Sequence, residues 1–280
     1  MRNGIIWRSI FIAIVLLVNA TWADGQQLRK EHFSIGETIT FRSEVLDEYR
    51  IVNIYLPANY HNDTLKQYQV IYLLDGSADE DFIHISGLVQ FCTFSWIRMM
   101  PESIVVGIAN VDRQRDFTYP SGEEMDRIKL PTSGGSKAFI EFLTRELPAV
   151  IQQNYRVNGE KTLIGQSLGG LLASEVLFKN PESFNRYIII SPSLWWDAEK
   201  LLQLTLQPKL QNQSVYIGVG QEGPVMERLA QTLFYKLSLE KPQLQLFFQY
   251  FPAQNHGDIL HLAAYDAFAK LFKTEDPGRE

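Results

Sequence analysis

Leu163-Ile164-Gly165-Gln166-Ser167-Leu168-Gly169-Gly170 begins as a short apolar strand and ends as G-x-S-x-G-G, directly before the apolar helical segment 171–178. Small residues two before and two after Ser167 allow a sharp strand-to-helix turn that projects the serine hydroxyl above a sheet. The free N–H groups at the start of the helix favour negative charge that develops at the same place. G-x-S-x-G also occurs by chance in ordinary turns, but the flanking strand and helix favour a nucleophile elbow.

Other short apolar segments around this turn predict the rest of a sheet. Two segments alternate in polarity, as antiparallel edge strands do: 38–42 and 50–56. Six are nearly continuous apolar runs, typical of strands buried on both faces: 70–74, 104–108, 162–164, 187–190, 215–219 and 246–250. Segments of helical period lie between them: 81–97, 136–154, 168–179, 197–206, 225–239 and 258–272. The alternation predicts an α/β protein whose mostly parallel eight-stranded sheet is covered by helices on both faces.

Two places interrupt this regular pattern. Pro148 should kink the helical segment 136–154 or mark its last turn, because proline lacks the backbone N–H that a helix interior needs. The segment 110–136 has no clear period, and a loop of that length is usually functional or disordered. We find no internal repeat and no linker that would split the chain.

The amino terminus has the composition of a targeting segment. Arg2 and Arg8 supply positive charge, 9–18 is an almost unbroken apolar run, and Thr21 and Ala23 are small residues before a plausible cleavage point. We therefore predict a signal peptide over residues 1–23, a single domain over 24–280 and a periplasmic or secreted location. An uncleaved membrane anchor is the alternative, since the apolar run is near the short limit for crossing a bilayer.

Charge and cysteine content narrow the possible partners. Removing Arg2 and Arg8 with the signal lowers the formal charge from −6 to −8, which argues against nucleic acid or an anionic membrane as the main partner. Cys92 is the single cysteine, so no internal disulfide can form, and its apolar neighbours predict a buried packing role.

The histidine that activates Ser167 can be chosen by chain order. In proteins with a nucleophile elbow, the chain order is serine, then acid, then histidine. Only two histidines, His256 and His261, come after Ser167. His256 lies in a polar turn directly after the last predicted strand, at the sheet end where the elbow opens. His261 lies inside the last helical segment. We predict His256 as the general base.

The acid that orients His256 is less determined. Glu222 directly follows the seventh predicted strand, from where its carboxylate can reach the loop of His256. Glu227 begins the next helix, where a carboxylate can simply complement the helix dipole, and Asp197 follows the sixth strand. Glu222 is our choice, with Glu227, Asp197 or no acid as alternatives.

The oxyanion requires two backbone donors near Ser167. One is the N–H of the residue after the serine, Leu168, and the other comes from the loop after the third strand. Asp75-Gly76-Ser77 occupies that loop. The second donor should therefore be the N–H of Gly76 or of Ser77.

With these residues placed, the chain resembles the putative-esterase branch of the α/β-hydrolase superfamily, which includes esterase D-like enzymes and siderophore trilactone esterases. The similarity runs from about residue 35 to the end. Its marks are Tyr72-Leu73-Leu74-Asp75-Gly76, Arg113-Gln114-Arg115-Asp116-Phe117, Glu146-Leu147-Pro148, the elbow, Ser191-Pro192-Ser193-Leu194-Trp195-Trp196 and His256-Gly257. The resemblance implies the α/β-hydrolase fold, ester hydrolysis through an acyl-serine, and catalytic roles for Ser167 and His256. Gln166 departs from it, because histidine is frequent at that position.

Three further residues are predicted to bind substrate. Arg115, Trp195 and Trp196 fall on loops at the carboxyl ends of strands, where open α/β sheets form their pockets. A guanidinium with aromatic walls would suit an aromatic or catecholate acyl group. A solvated charge for Arg115 and core packing for the tryptophans are the alternatives.

The function predicted from the sequence is an exported serine esterase that acts on a small-molecule ester, with a catecholate siderophore trilactone among the possible substrates. Alternatives are an acyltransferase, an acyl-sugar or feruloyl-type esterase, and a non-catalytic ligand-binding protein of the same fold. We find no zinc-protease spacing, phosphate-binding loop or dinucleotide motif, and so predict neither a metal nor a cofactor.

Overall fold

The computed structural model describes residues 28–272, so the predicted signal peptide over 1–23 lies outside the described residues. Residues 28–34 carry no helix or strand. Of the described residues, 35–272 belong to one compact unit. Within 28–272, no helix combines the length and apolar character that a membrane crossing requires.

Eight strands form a single sheet in the order β1-β2-β4-β3-β5-β6-β7-β8. The strands are β1 (Gly36–Ser43), β2 (Glu48–Tyr55), β3 (Tyr68–Leu73), β4 (Ser103–Ile108), β5 (Val157–Gln166), β6 (Arg186–Ile190), β7 (Ser214–Gly220) and β8 (Gln245–Phe251). β1 pairs antiparallel with β2, and β2 antiparallel with β4, while the remaining five pairs, from β4–β3 through to β7–β8, are parallel. All eight predicted strands are present, and the prediction of a mostly parallel sheet with an antiparallel edge is confirmed.

Helices follow most strands. They are α1 (Phe82–Cys92), α2 (Arg113–Phe117), α3 (Glu124–Lys129), α4 (Ser136–Glu141), α5 (Leu147–Asn154), α6 (Leu168–Lys179), α7 (Lys200–Gln203), α8 (Pro224–Glu240) and α9 (Ile259–Leu271). A π-helical turn, Phe142–Glu146, joins α4 to α5, and short 3₁₀ turns occupy Pro181–Ser183 and Trp196–Glu199.

The central strands are apolar throughout because both of their faces are buried. In β3, Val70 and Tyr72 point into a core on one side of the sheet, and Ile71 and Leu73 point into a second core on the other. The first core includes apolar residues of α4, α5, α6 and α8, and the second includes those of α1 and α9. Cys92 is fully buried in the second core, as predicted.

The structure corrects three details of the predicted elements. The segment 110–136 is not simply irregular, because it contains α2 and α3. The helical segment predicted over 197–206 is a 3₁₀ turn followed by the four residues of α7, since Asp197, Ala198 and Glu199 have positive φ angles.

Pro148 does not mark the last turn of its helix. It lies at the start of α5, directly after the π-helical turn, and the helix continues to Asn154. A proline costs least in the first turn of a helix, where no intrahelical acceptor waits for its missing N–H. Here the Leu147 N–H donates to the Phe142 carbonyl oxygen, so the helical path is continuous, and the π turn directly before Pro148 accommodates its missing N–H.

Candidate active site

Ser167 occupies the turn between β5 and α6 in a strained conformation. Its φ and ψ are 60° and −120°, a region that residues with a Cβ rarely adopt. The turn is tight enough that a Cβ on Gly165 would lie 2.3 Å from the carbonyl oxygen of Gly169. Glycine at 165 is therefore required by the turn, and the predicted strand–elbow–helix geometry is present.

His256 follows β8 and reaches Ser167 across the sheet end. Its Nε2 lies 3.0 Å from the Ser167 Oγ, although the two residues are 89 positions apart. The Gln166 side chain donates a hydrogen bond of 2.6 Å to the His256 carbonyl oxygen and so ties the histidine loop to the elbow. Nearly half of the His256 side chain, 46%, remains exposed. The ring is therefore held against the serine while one side stays open to water.

Glu222 completes the contact chain from the turn after β7. One carboxylate oxygen, Oε2, lies 2.5 Å from His256 Nδ1. The other, Oε1, accepts the Gly220 N–H at 3.0 Å and a short hydrogen bond from the Ser191 hydroxyl. Burial by itself would raise the pKa of Glu222, but its bonds from His256, Ser191 and Gly220 together lower that pKa below the usual value. Glu222 is thereby kept ionised beside the imidazole.

The alternative acids and the second histidine lie elsewhere. Glu227 accepts the N–H groups of Glu222 and Gly223 at 3.1 and 3.0 Å, so it stabilises the turn that carries Glu222. Asp197 accepts the Gly122 N–H at 2.7 Å and pairs with Lys200 at 2.8 Å. His261 contacts His84 of α1. Of the carboxylates proposed from the sequence, Glu222 is the one in contact with His256.

The structure selects between the two predicted donors of the oxyanion loop. The Gly76 N–H donates to the Ile108 carbonyl oxygen at 2.9 Å, so Gly76 is not available and its prediction as a donor is wrong. The Ser77 N–H has only a long contact of 3.4 Å to the exposed Glu80 carboxylate, which a ligand can displace. Leu168 is the first residue of α6, so its N–H has no carbonyl one turn earlier to bind.

The oxyanion loop is seated directly on β4. A Cβ on Gly76 would lie 2.4 Å from the Gly107 Cα, and a Cβ on Gly107 would lie 2.7 Å from the Gly76 carbonyl oxygen. Two facing glycines therefore allow the loop to approach the strand closely, which brings Ser77 into position.

A cleft of about 570 Å³ opens in front of Ser167. Its lining residues are Ser167, Ser193, Trp195, Gln221, Glu222, Met226, Asn255 and His256. Trp195 thus lies in the predicted pocket. Trp196 does not, because it is fully buried and its indole N–H donates to the Tyr119 carbonyl oxygen at 2.8 Å. The aromatic wall predicted from the pair is provided by Trp195 alone.

Arg115 is not in this cleft, so its predicted contact with substrate is wrong. It forms two hydrogen bonds to the Glu48 carboxylate, at 2.6 and 3.0 Å, and one of 2.8 Å to Asp116. Asp116 also pairs with the fully buried Arg50 at 2.8 Å. Because Arg115 lies in the short helix α2, its guanidinium is directed toward Glu48 of β2. Burial opposes ionisation of Glu48, but bonds from Arg115 and Arg50 lower its pKa.

Several residues of the site carried no role in the sequence prediction. Ser191 contacts the acid, Ser193 Oγ lies 3.5 Å from Ser167 Oγ, and Gln166 holds the histidine loop. The position of Ser191 and Ser193 directly after β6 was a usable signal, because that strand ends beside the elbow. Across residues 28–272, no group of three or more His, Cys, Asp or Glu side chains is arranged to hold a metal ion.

The known proteins that are similar to this chain include esterases and a serine hydrolase. A family model described as "Putative esterase" matches residues 43–257. The ferri-bacillibactin esterase BesA of Bacillus subtilis is 31% identical over 151 residues, covering 49% of this chain and 52% of its own length. The chain therefore matches about half the length of that curated relative.

Two solved structures are similar over most of the chain. An IroE-like serine hydrolase from Shewanella oneidensis superposes with a TM-score of 0.75 and 27% identity, covering 85% of this chain and 80% of its own. The BES protein from Bacillus cereus gives a TM-score of 0.76 and 25% identity over 89% of this chain and 98% of its own.

Proposed function

The chain belongs to the putative-esterase family of the α/β-hydrolase superfamily, and from this premise we propose that it is a serine hydrolase that cleaves carboxylic esters through an acyl-serine intermediate. One observation carries the proposal: Ser167 Oγ lies 3.0 Å from His256 Nε2, and His256 Nδ1 lies 2.5 Å from Glu222. A serine hydroxyl is a weak nucleophile until a base in contact with it takes its proton, and this contact chain supplies that base.

In the acylation step, the Ser167 Oγ attacks the ester carbonyl carbon while His256 Nε2 takes the hydroxyl proton. Ionised Glu222 accepts the Nδ1–H and stabilises the imidazolium that forms. The carbonyl oxygen becomes an oxyanion, and the N–H groups of Leu168 and Ser77 are the donors available to it. When the tetrahedral adduct collapses, the bond to the leaving alcohol breaks and His256 returns the proton to that oxygen.

Deacylation repeats the same steps with water as the nucleophile. His256 takes a proton from the water as its oxygen attacks the acyl carbon, and Ser167 leaves with the proton returned by His256. Because 46% of the His256 side chain is exposed, water can reach the imidazole without a change in the protein. This openness favours hydrolysis over acyl transfer, which depends on keeping water away. The open cleft also argues against a non-catalytic binding protein with a blocked pocket.

For the substrate we propose an ester whose acyl part carries an aromatic ring, a catecholate siderophore trilactone being the leading example. Trp195 and Met226 give the cleft apolar walls beside Ser167, and a volume of about 570 Å³ is enough for a substrate of drug size. The relative from Bacillus subtilis is named as an esterase of ferri-bacillibactin, which supports this substrate class.

We also propose that residues 1–23 direct export to the periplasm or the medium. The support is the sequence of that segment, with its basic start, its apolar run and the small residues before the plausible cleavage point. Amino-terminal sequencing of protein recovered from the periplasm and medium tests it. A mature chain that starts near Asp24 is expected, and an intact Met1 in a membrane fraction would favour the uncleaved anchor.

Labelling with a fluorophosphonate probe tests the serine mechanism. Wild-type protein is expected to be modified at Ser167, and the Ser167→Ala variant to be unlabelled and slower in ester hydrolysis by about 10⁴-fold or more. Ser193→Ala is the matched control, because it removes a hydroxyl from the same cleft and should still be labelled. Equal labelling of wild type and Ser167→Ala would refute the proposal.

The substrate proposal has its own measurement. Initial rates should be compared for p-nitrophenyl esters of increasing acyl chain length, p-nitrophenyl benzoate and a catecholate trilactone. The highest kcat/KM is expected for the aromatic acyl groups, with Trp195→Ala raising KM for them more than for acetate. A preference for long aliphatic chains, unchanged in Trp195→Ala, would refute the assignment.

A further inference from the structure

A second cavity of about 550 Å³ lies on the outer side of α6, away from the Ser167 cleft. It is bounded by the end of α2 and its following loop, by α4 with the π-helical turn, and by the carboxyl-terminal half of α6. The two cavities share no lining residue. Tyr119, Pro120 and Ile140 give this cavity an aromatic and apolar wall.

Two polar side chains in the lining of this cavity are buried and incompletely bonded. Glu175 is 1% exposed; its Oε1 pairs with Lys179 at 2.5 Å, but its Oε2 has no hydrogen-bond partner in the described chain. Ser136 is fully buried, and its hydroxyl also has no partner there. Buried polar atoms are nearly always hydrogen-bonded, and these two oxygens belong to residues that line the same cavity, where a ligand group can supply their partner.

One of the positively charged side chains that line the cavity has no ion pair within the described residues. Lys179 pairs with Glu175, and Arg145 lies 3.6 Å from Glu141. Lys137 has no ion pair with any residue in 28–272, and it lines the cavity directly beside Ser136. The arrangement is therefore suited to a ligand with an anionic group at one end.

We propose that this cavity is a second binding site, specific for a small aromatic hydroxy acid. The aromatic ring packs against Tyr119, Pro120 and Ile140. The ligand hydroxyl donates to Glu175 and accepts a hydrogen bond from the Ser136 hydroxyl, and the ligand carboxylate pairs with Lys137. The Tyr119 carbonyl oxygen binds the Trp196 indole, so the occupied site would lie one residue from the wall of the catalytic cleft.

Isothermal titration of the full-length Ser167→Ala protein with 4-hydroxybenzoate tests the proposal without depending on hydrolysis. Binding is expected, with affinity about tenfold weaker for benzoate, which lacks the hydroxyl donor, and for 4-hydroxybenzyl alcohol, which lacks the carboxylate. Failure of the proposed esterase function would leave this measurement unaffected, because no bond is broken in it.

Variants then locate the site. Ser136→Ala removes no hydrogen bond in the free protein, so it should fold normally and bind 4-hydroxybenzoate about tenfold more weakly, as should Glu175→Gln. Lys137→Ala should weaken binding of 4-hydroxybenzoate and leave 4-hydroxybenzyl alcohol unchanged. Ser86→Ala is the matched control, since Ser86 is also buried with an unpartnered hydroxyl but lies in α1.

Two outcomes would overturn the assignment. One is the absence of measurable binding of 4-hydroxybenzoate at millimolar concentration. The other is binding that Trp195→Ala weakens and Ser136→Ala leaves unchanged, which would place the probe in the catalytic cleft instead.

Discussion

Two clusters of charged and polar side chains differ in which of their atoms lack a hydrogen-bond partner. The first is Ser167 with His256 and Glu222, and the second is Arg50 with Asp116. In the Ser167 cluster, the Glu222 side chain is buried and both of its oxygens are hydrogen-bonded. The His256 side chain is nearly half exposed, and Ser167 lines the open cleft. In the second cluster Arg50 and Asp116 are buried together and bind each other, and the one Arg50 side-chain nitrogen without a partner in 28–272, Nε, is closed off from solvent. The groups proposed to act on substrate, Ser167 and His256, are those that remain accessible from the cleft. The ion pair of Arg50 and Asp116 is closed to solvent and contributes to stability.

The comparison predicts that the clusters respond oppositely to the loss of one carboxylate. Glu222→Gln should reduce kcat for ester hydrolysis by about 10²-fold to 10⁴-fold, because an amide can donate to His256 and hold the wrong tautomer. The melting temperature should change little. Steady-state kinetics with p-nitrophenyl acetate measures the effect, and Glu227→Gln is the matched control expected to keep most activity. Nearly wild-type activity in Glu222→Gln would show that His256 works without an acid.

Asp116→Asn should give the reverse result. Removing this charge leaves Arg50 buried without its closest counter-ion, which costs about 3 kcal/mol of unfolding free energy. kcat should stay near that of the wild type, because Asp116 does not line the cleft. Urea unfolding and steady-state kinetics of the same preparation separate the two effects. A large fall in kcat with unchanged stability would contradict the division between the clusters.

Asp81 provides a third case for the comparison. Glu222 and Asp116 each lie beside a basic side chain, whereas Asp81 lies near the carboxylates of Asp75 and Glu80. Burial first, and then the charges of Asp75 and Glu80, raise the pKa of Asp81 to about 6. A carboxyl that binds its proton more tightly in the folded state favours folding below its ordinary pKa and loses that stabilisation as pH rises toward 6.

Asp81→Asn should therefore be more stable than wild type by about 1–2 kcal/mol at pH 7.5, once solvent screening is allowed for. The difference should shrink as pH falls from 6 toward 4. Urea unfolding at several pH values measures it. A gain in stability that is the same at pH 4 and pH 7.5 would show that the charge of Asp81 is not its cause.

The smallest effect is expected at Arg115. Its ion pairs are partly exposed, so Arg115→Ala should cost about 1 kcal/mol of unfolding free energy. KM for an aromatic ester should not change, since the guanidinium is directed toward Glu48 and not toward the cleft. A severalfold rise in KM would return Arg115 to the substrate site and blur the distinction between the two clusters.

The parts of the fold and site that the sequence predicts correctly depend on local pattern and chain order. Continuous apolar runs locate the strands, and turns after parallel strands must meet at one edge of the sheet, which brings the loops of Ser167, Glu222 and His256 together. The roles of Arg115 and Trp196 depend on partners far along the chain. Arg115 meets Glu48 across 67 positions, and Trp196 meets Tyr119 across 77, and no local pattern encodes such pairings.

The choice between Gly76 and Ser77 was also beyond the sequence. Both are small loop residues with a backbone N–H, and the difference between them is the carbonyl of Ile108, which one of them binds. That acceptor belongs to another strand, so its position is known only when the sheet is assembled.

The facing glycines Gly76 and Gly107 make the shape of the oxyanion loop depend on β4, a strand that does not contact the substrate. Gly107 lines no part of the cleft, yet a single methyl group there would collide with the Gly76 carbonyl and displace the loop that carries Ser77. A side chain at position 107 would thus reduce catalysis by changing the backbone path of the oxyanion loop. Mutational libraries confined to cleft-lining positions would miss it, and an engineer who wishes to retune this loop should keep glycine at both 76 and 107.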